Sequence, residues 1–485
     1  MGQNASKSTY KQLLAQPLIE LNSLFPLKAQ ANSDIKWRPL SFENIKAYTL
    51  HHPHLIEDFF SGRDVQFKTD VWDDPAKIET KALNLRTFTQ RFKPMTPALK
   101  AIQKHQPSEF FERWLPWTEA ALKKVYTQAR EEAQEQGRNT ASQLYESLRS
   151  ASMMIVGRTV CNKFKGDTLK EIEAALEGLD TVYARLAYGG ARGRFNWLPG
   201  SDVKLASQYL KDLESHIRPV IRDQIGGGEE GDDLLSRWIQ TKGSDGRSLK
   251  EDQIINEAIA FLSMAYTSLP KLLFGAIINV SLGQADDFLA ELSKETSAVV
   301  KLLTAPPVID DKTPAPITPH NEEAWKTLPL HNAVVLESLR LYPPNWLAQF
   351  KISSGKFPLV SASEDTGKGE LPKAETDQQV WLSPWEFHHS SYFQKPKRFW
   401  PQRWMGNLEA QLPMHIFSPF GFSGNISLSE IYCKEIATRF LMMWFARYTA
   451  VNVPEKISWE LSLCLRPSTN IHWLHKRDYA KQSSK

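Results

Sequence analysis

Ser418-Pro419-Phe420-Gly421-Phe422-Ser423-Gly424-Asn425-Ile426-Ser427-Leu428-Ser429 is the stretch whose reading decides the fold. Proline, glycine, serine and asparagine crowd it, the chemistry of a tight loop. From Ser427 the chain runs without a breaker to Tyr448, long enough for a substantial helix. Working outward, Leu330 to Pro344 reads as a helix that ends in Tyr342-Pro343-Pro344. Its Glu337 and Arg340 stand at i,i+3 and so share a face. Between helix and loop lies Pro396-Lys397-Arg398-Phe399-Trp400-Pro401-Gln402-Arg403-Trp404.

This ordered set resembles the cytochrome P450 superfamily. The helix is similar to the family's Glu-x-x-Arg helix, and Pro396 to Trp404 resembles its P-x-x-F-x-P-x-R-(F/W) meander. The resemblance implies a mainly α fold with a small β lobe, held by a structural triad of Glu337, Arg340 and Arg403. The quoted stretch resembles the haem-binding loop F-G-x-G-x-R-x-C-x-G. Phe420 and Gly421 match it. Ser423, Asn425, Ser427 and Ser429 stand where the family has glycine, arginine, the axial cysteine and glycine. The resemblance is sharp over residues 325–451 and thinner over the N-terminal half. In the stretch Met153 to Arg158 the chain is similar to filamentous-fungal members of secondary metabolism.

Haem-thiolate chemistry needs a thiolate that pushes electron density onto iron. A serine hydroxyl is a hard, neutral donor. The arginine that pairs with a haem propionate in the family is Asn425 here. The Trp-x-x-x-Arg helix has candidates at Trp114 and Trp117, but the fourth residues on are Thr118 and Ala121. A buried carboxylate left without such partners costs several kcal/mol. The family's A-G-x-(D/E)-T falls on Ser263-Met264-Ala265-Tyr266-Thr267. Thr267 survives, while tyrosine, with a pKa near 10, replaces the acid. Pro270 is expected to kink this helix. Cys433, six residues past Ser427, is expected to be a small buried thiol.

These losses together lead to the expectation of a haem-free, redox-neutral cyclase, isomerase or dehydratase acting on a hydrophobic biosynthetic intermediate. Tyr266 and Thr267 are the expected catalytic groups. Asn345, Trp346, Gln349, Lys351, Asn425 and Ser427 are the expected substrate-binding residues, with no metal. Two alternatives stay open: a non-catalytic ligand-binding or scaffold partner of a biosynthetic enzyme complex, and a haem protein with Ser427, water or His415 as ligand.

Composition sets the outer bounds. Hydrophobic residues are 41% and charged residues 24% of the 485, normal for a chain with a real core. A net charge of +4 is too weak to argue nucleic-acid binding. The three cysteines show no metal or disulfide spacing. The apolar run from Leu272 to Leu282 is too short to cross a bilayer. Residues 1–34 read as a lead and 35–485 as a single domain. Gly2 with Ser6 fits N-myristoylation. The expectation is a cytoplasmic protein with peripheral membrane contact through that acyl chain.

Overall fold

The computed structural model describes residues 37–42, 45–61, 66–68, 107–138, 140–164, 166–188, 202–227, 231–242, 246–283, 286–304, 328–346, 348–359, 373–422, 428–461 and 465–478. Gly2, the acylation site expected from sequence, lies outside them, as do Asn425 and Ser427.

Among the described residues the architecture is mainly helical with a small sheet lobe, as the sequence leads one to expect. The sheet runs β1 (Trp37–Phe42), β2 (Ile45–Leu50), β7 (Gln379–Leu382), β4 (Ala348–Ser354), β3 (Gln66–Lys68) in spatial order. β2 and β7 are parallel, and β4 pairs antiparallel to β7 with Gln349 opposite Trp381. A buried pair, His51 Nδ1 to Glu386 Oε1 at 2.8 Å, ties the end of β2 to the short helix Pro384–His388.

The helical part begins with α1 (Pro53–Ser61) and continues through α2 (Phe111–Glu135), α3 (Leu144–Val160), α4 (Gly166–Tyr188), α5 (Asp202–Gly227) and α6 (Leu234–Gln240). α2 buries Trp114, Thr118, Ala121, Leu122, Val125 and Ala129, the helical spacing legible in its sequence. Asp233 is buried and caps α6 through the Ser236 amide at 2.9 Å.

At the centre are α7 (Glu251–Tyr266) and α8 (Ser268–Ser281). They are one apolar segment broken at Thr267, whose φ of −105° and ψ of −68° leave the helical track. Pro270 explains the break, because it has no N–H to offer the Tyr266 carbonyl four residues back. Among the described residues, Glu251–Ser281 is the one stretch long and apolar enough to cross a membrane, longer than the run picked out by sequence, and 89% of its most apolar window is buried inside the protein. α9 (Asp286–Thr304), α10 (Pro329–Leu341), the short α11 (Pro384–His388) and α12 (Leu408–Gln411) follow. The last helix, α13 (Leu428–Arg447), packs against α2, α8, α9 and α10.

Candidate functional site

Most of α7 is closed off. Ala258, Ile259, Leu262 and Ala265 are fully buried, and Phe261 and Tyr266 nearly so. Partial exposure is confined to the two ends, at Asn256 and Glu257 and again at Thr267 and Ser268, while Ala260 at 8% and Met264 at 5% remain buried between them. At steps of three and four residues, Glu257, Ala260, Met264 and Ser268 thus form a stripe along the helix. Its middle is apolar, and both ends are polar.

The helix break equips the C-terminal end. The Ser263 carbonyl accepts from the Thr267 amide at 2.9 Å and from Thr267 Oγ1 at 2.8 Å. Ser268 Oγ lies 3.4 Å from Thr267 Oγ1, so two hydroxyls sit side by side. Tyr266 is not with them. Its ring lies 4.9 Å under the Arg149 guanidinium and its hydroxyl accepts from Arg149 Nη1 at 3.4 Å. Burial raises its pKa well above the ordinary value of 10. The expected acid–alcohol pair is thus divided, with Thr267 at the end of the stripe and Tyr266 turned to α3.

The N-terminal end carries Glu257, which sequence reasoning passed over. Among the described residues it has no hydrogen-bonding or ionic partner. Burial alone pushes its pKa up to about 7. The signal was present: Glu257 stands eleven residues before Ser268, about three turns, so the two share a face.

The residues after α10 divide as well. The Asn345 amide donates to the Pro419 carbonyl at 3.0 Å, so it braces the start of the loop. Its side chain lies where a Cβ on Gly421 would come within 2.6 Å, and Gly421 has φ +108°, so glycine is required there on both counts. Trp346 is buried. Gln349 and Lys351 lie on β4.

The loop is also held from below. His388, fully buried, donates from Nδ1 to the Arg340 carbonyl at 3.1 Å and accepts at Nε2 from the Ser418 amide at 3.1 Å. Burial, with the Arg340 charge nearby, holds its pKa far below the ordinary range, so it is neutral, the form with one donor and one acceptor. His415, an expected alternative ligand, packs instead against Phe60 and Phe422, with ring centroids 5.3 and 6.2 Å away.

The structure brings Glu337, Arg340 and Arg403 together. Glu337 accepts from Arg340 Nη2 at 2.8 Å and Nε at 3.0 Å, and Arg403 Nε lies 3.0 Å from its other side. The Trp400 amide and the Trp404 indole complete the carboxylate's shell at 2.9 and 2.8 Å. Arg340 spends its remaining donors on the carbonyls of His388, Pro396 and Arg398. This set fastens the meander to α10 and touches no open space.

Among the described residues, four helices carry buried hydroxyls without a partner: Thr118 Oγ1 on α2, Ser152 Oγ on α3, Ser263 Oγ on α7 and Tyr432 OH on α13. An unpaired buried hydroxyl costs about 1–3 kcal/mol, so each calls for an explanation. The Trp114 indole is committed to Thr159 Oγ1 at 2.9 Å. Cys433 is a fully buried free thiol whose pKa burial raises strongly, the inert residue the sequence suggests.

Comparison with known proteins follows the geometry. A solved structure described as the haem domain of cytochrome P450DA superposes with a TM-score of 0.67 over 92% of this chain and 91% of its own, at 15% identity. Cyclooctat-9-en-7-ol 5-monooxygenase of Streptomyces melanosporofaciens is 22% identical over 80% of this chain and 76% of its own. Pentalenene oxygenase of Streptomyces avermitilis is 23% identical over 51% of this chain, and the match spans about half of that relative's length. Both are bacterial, so they lend nothing to a fungal type. Both are named for oxygenation. These names overturn the expectation of a haem-free, redox-neutral cyclase, isomerase or dehydratase, and with it the expectation of no cofactor: the relatives point to haem-dependent oxidation. The error came from treating lost partner residues as loss of the whole chemistry. The family description "Cytochrome P450" matches residues 48–423, more than three quarters of the sequence. The chain belongs to the cytochrome P450 family.

Proposed function

We propose that this protein carries out haem-dependent oxidation of a hydrophobic small molecule of the terpenoid class, with serine at the position of the axial cysteine. The observation that supports it most is the stripe on α7, apolar at Ala260 and Met264, with the partly exposed Thr267 and Ser268 hydroxyls side by side at its C-terminal end. The names of the two oxygenases add the reaction class and the substrate class.

Whether the residues suit a haem was judged on the unpartnered hydroxyls. Thr118 stands where the family motif has its propionate-binding arginine, and Ser263 begins the motif that ends in Thr267. Both are buried and lack partners, as donors facing an acidic macrocycle edge would be. At the iron, Ser427 offers oxygen in place of sulfur. Oxygen ligation of haem has a precedent in the tyrosine of catalase. The residues therefore fit the group, with an altered donor.

Haem, when bound, supplies the redox chemistry that oxidises an unactivated carbon. The chain's own residues do the rest. Ala260 and Met264 present an apolar surface and exclude water from the substrate's body. Thr267 and Ser268, side by side at the break, hold a water or a proton at the reacting end. Asn345, His388 and Gly421 set the start of the loop that carries Ser427.

The test is the haem content and absorption spectrum of protein expressed with excess haem precursor, followed by product analysis with a reductant and a cyclic terpene. Stoichiometric haem and a product one oxygen heavier are expected. Absence of bound haem sinks the reading. Ser427→Cys, which restores the thiolate, is expected to raise both occupancy and turnover. Unchanged values would mean Ser427 is not the ligand.

A further inference from the structure

A cavity of about 480 Å³ lies between the end of α8, one face of α9, the end of α13 and the strand Tyr448–Val451 that follows it. No residue of α7 lines it. α9 gives it two parallel rows at four-residue steps. Ser293, Ser297 and Lys301 are exposed and make a polar rim. Leu292 and Thr296, each one residue earlier, are buried and make the floor together with Trp444 and Tyr448. The Thr296 hydroxyl is spent on the Leu292 carbonyl at 2.8 Å, so the floor is largely apolar.

The cavity also has a charge. Among the described residues its lining holds two lysines, Lys301 and Lys476, and no carboxylate. Lys476 donates to the Phe445 carbonyl at the end of α13. The Phe445 ring lies 6.2 Å from that of His331, whose Nε2 is 3.2 Å from Thr296 Oγ1. These contacts bring Lys476 alongside the middle of the α9 face, and Lys301 stands five residues beyond Thr296, about 7.5 Å of helix rise. An ammonium has three donors, and the helix-end carbonyl takes one of those on Lys476.

We propose that this cavity binds a small carboxylate with one apolar face and one hydroxylated face. The apolar face lies on Leu292 and Trp444, the hydroxyls meet Ser293 and Ser297, and the carboxylate sits between Lys301 and Lys476. Charge selects the head, because an anion gains charge-assisted hydrogen bonds and a cation meets two ammonium groups. The polar rim selects the body, because a plain alkyl chain covers its hydroxyls with hydrocarbon. The volume suits one such molecule, since ligand pockets run to about 300–1,000 Å³. The assignment is independent of the oxidation proposed above, which uses none of these residues.

Calorimetry of the full-length protein with cholate and with its methyl ester, both below micellar concentration, tests this. The ester keeps the rings and hydroxyls and lacks the charge. The wild type is expected to bind cholate about tenfold more tightly than the ester, the span of one charge-assisted bond. The double variant Lys301→Gln, Lys476→Gln is expected to bind both at the wild-type affinity for the ester, which also reports that it is folded. Lys301→Gln alone, at an exposed position, loses part of the preference. Ser297→Trp, which places an indole on the rim, is expected to weaken both ligands with little change in thermal midpoint. A cholate preference that survives loss of both lysines overturns the assignment, because the charge is then read elsewhere. So does a wild type that binds acid and ester alike or binds neither, and so does undiminished binding by Ser297→Trp.

Discussion

Glu257 and Glu337 are both carboxyls inside this protein, and they behave in opposite ways. Glu337 receives donors from Arg340, Trp400 and Trp404, so its charge is matched and its place is structural. Glu257 receives none, and burial moves its pKa from an ordinary 4.5 to about 7. The sign of the consequence is fixed by linkage. A carboxyl whose folded pKa lies above its unfolded value is protonated more readily in the folded state. Its contribution to stability is whole below about pH 4.5 and is lost as pH rises through about 7. The full loss is about 3 kcal/mol at most, since partial access to solvent reduces it. Glu257→Gln should therefore be less pH-sensitive between pH 5 and 8 and more stable than the wild type at pH 8. Urea unfolding of both proteins at the two pH values measures this. Parallel pH dependences would mean that the carboxyl is hydrated and ordinary.

At the scale of elements, the loop before α13 is positioned by contacts from outside itself. α10 ends at Tyr342, and its Arg340 carbonyl holds the His388 ring, which holds the Ser418 amide. One imidazole thus couples α10, the end of α11 and the start of the loop. His388→Ala removes both hydrogen bonds, leaves the Ser418 N–H unpaired and opens a cavity, at a cost of about 3 kcal/mol. The coupling predicts where the loss appears. Amide exchange at Ser418 and Gly421 should accelerate far more than exchange in the middle of α13. Uniform acceleration would make His388 a general core residue with no special hold on the loop. The helix break is a second elemental device. Pro270 frees the Tyr266 carbonyl, and Thr267 turns its hydroxyl to the Ser263 carbonyl, so the two hydroxyls of the site owe their position to a proline three residues away.

Across the whole molecule, the sequence made legible what local spacing determines. The Glu-x-x-Arg helix, the meander and the broken central helix each announce themselves within a dozen residues, and each is where the pattern puts it. What long-range packing determines was hidden. Tyr266 faces Arg149, 117 residues earlier, so no local rule could turn it off the stripe. The isolation of Glu257 exists only once neighbouring helices close around α7. Asp233 accepts from the Asn162 amide, 71 residues away, a pairing that no local rule gives. The same distinction bears on haem: Thr118 and Ser263, on two different helices, carry buried hydroxyls without a partner among the described residues, and under the proposed function a bound haem would lie between such elements. A group bound between such elements stabilises the fold as a whole. Free hemin at about a hundred times its dissociation constant should raise unfolding stability by about 2.7 kcal/mol, with a thermal midpoint higher by a few degrees. Thr118→Val removes one unpaired hydroxyl, so it should stabilise the protein without hemin and shrink the gain with it. Scanning calorimetry of both proteins, with and without hemin, separates the cases. If hemin shifts neither midpoint, the space is not a haem site. If it shifts both equally, Thr118 does not face the group.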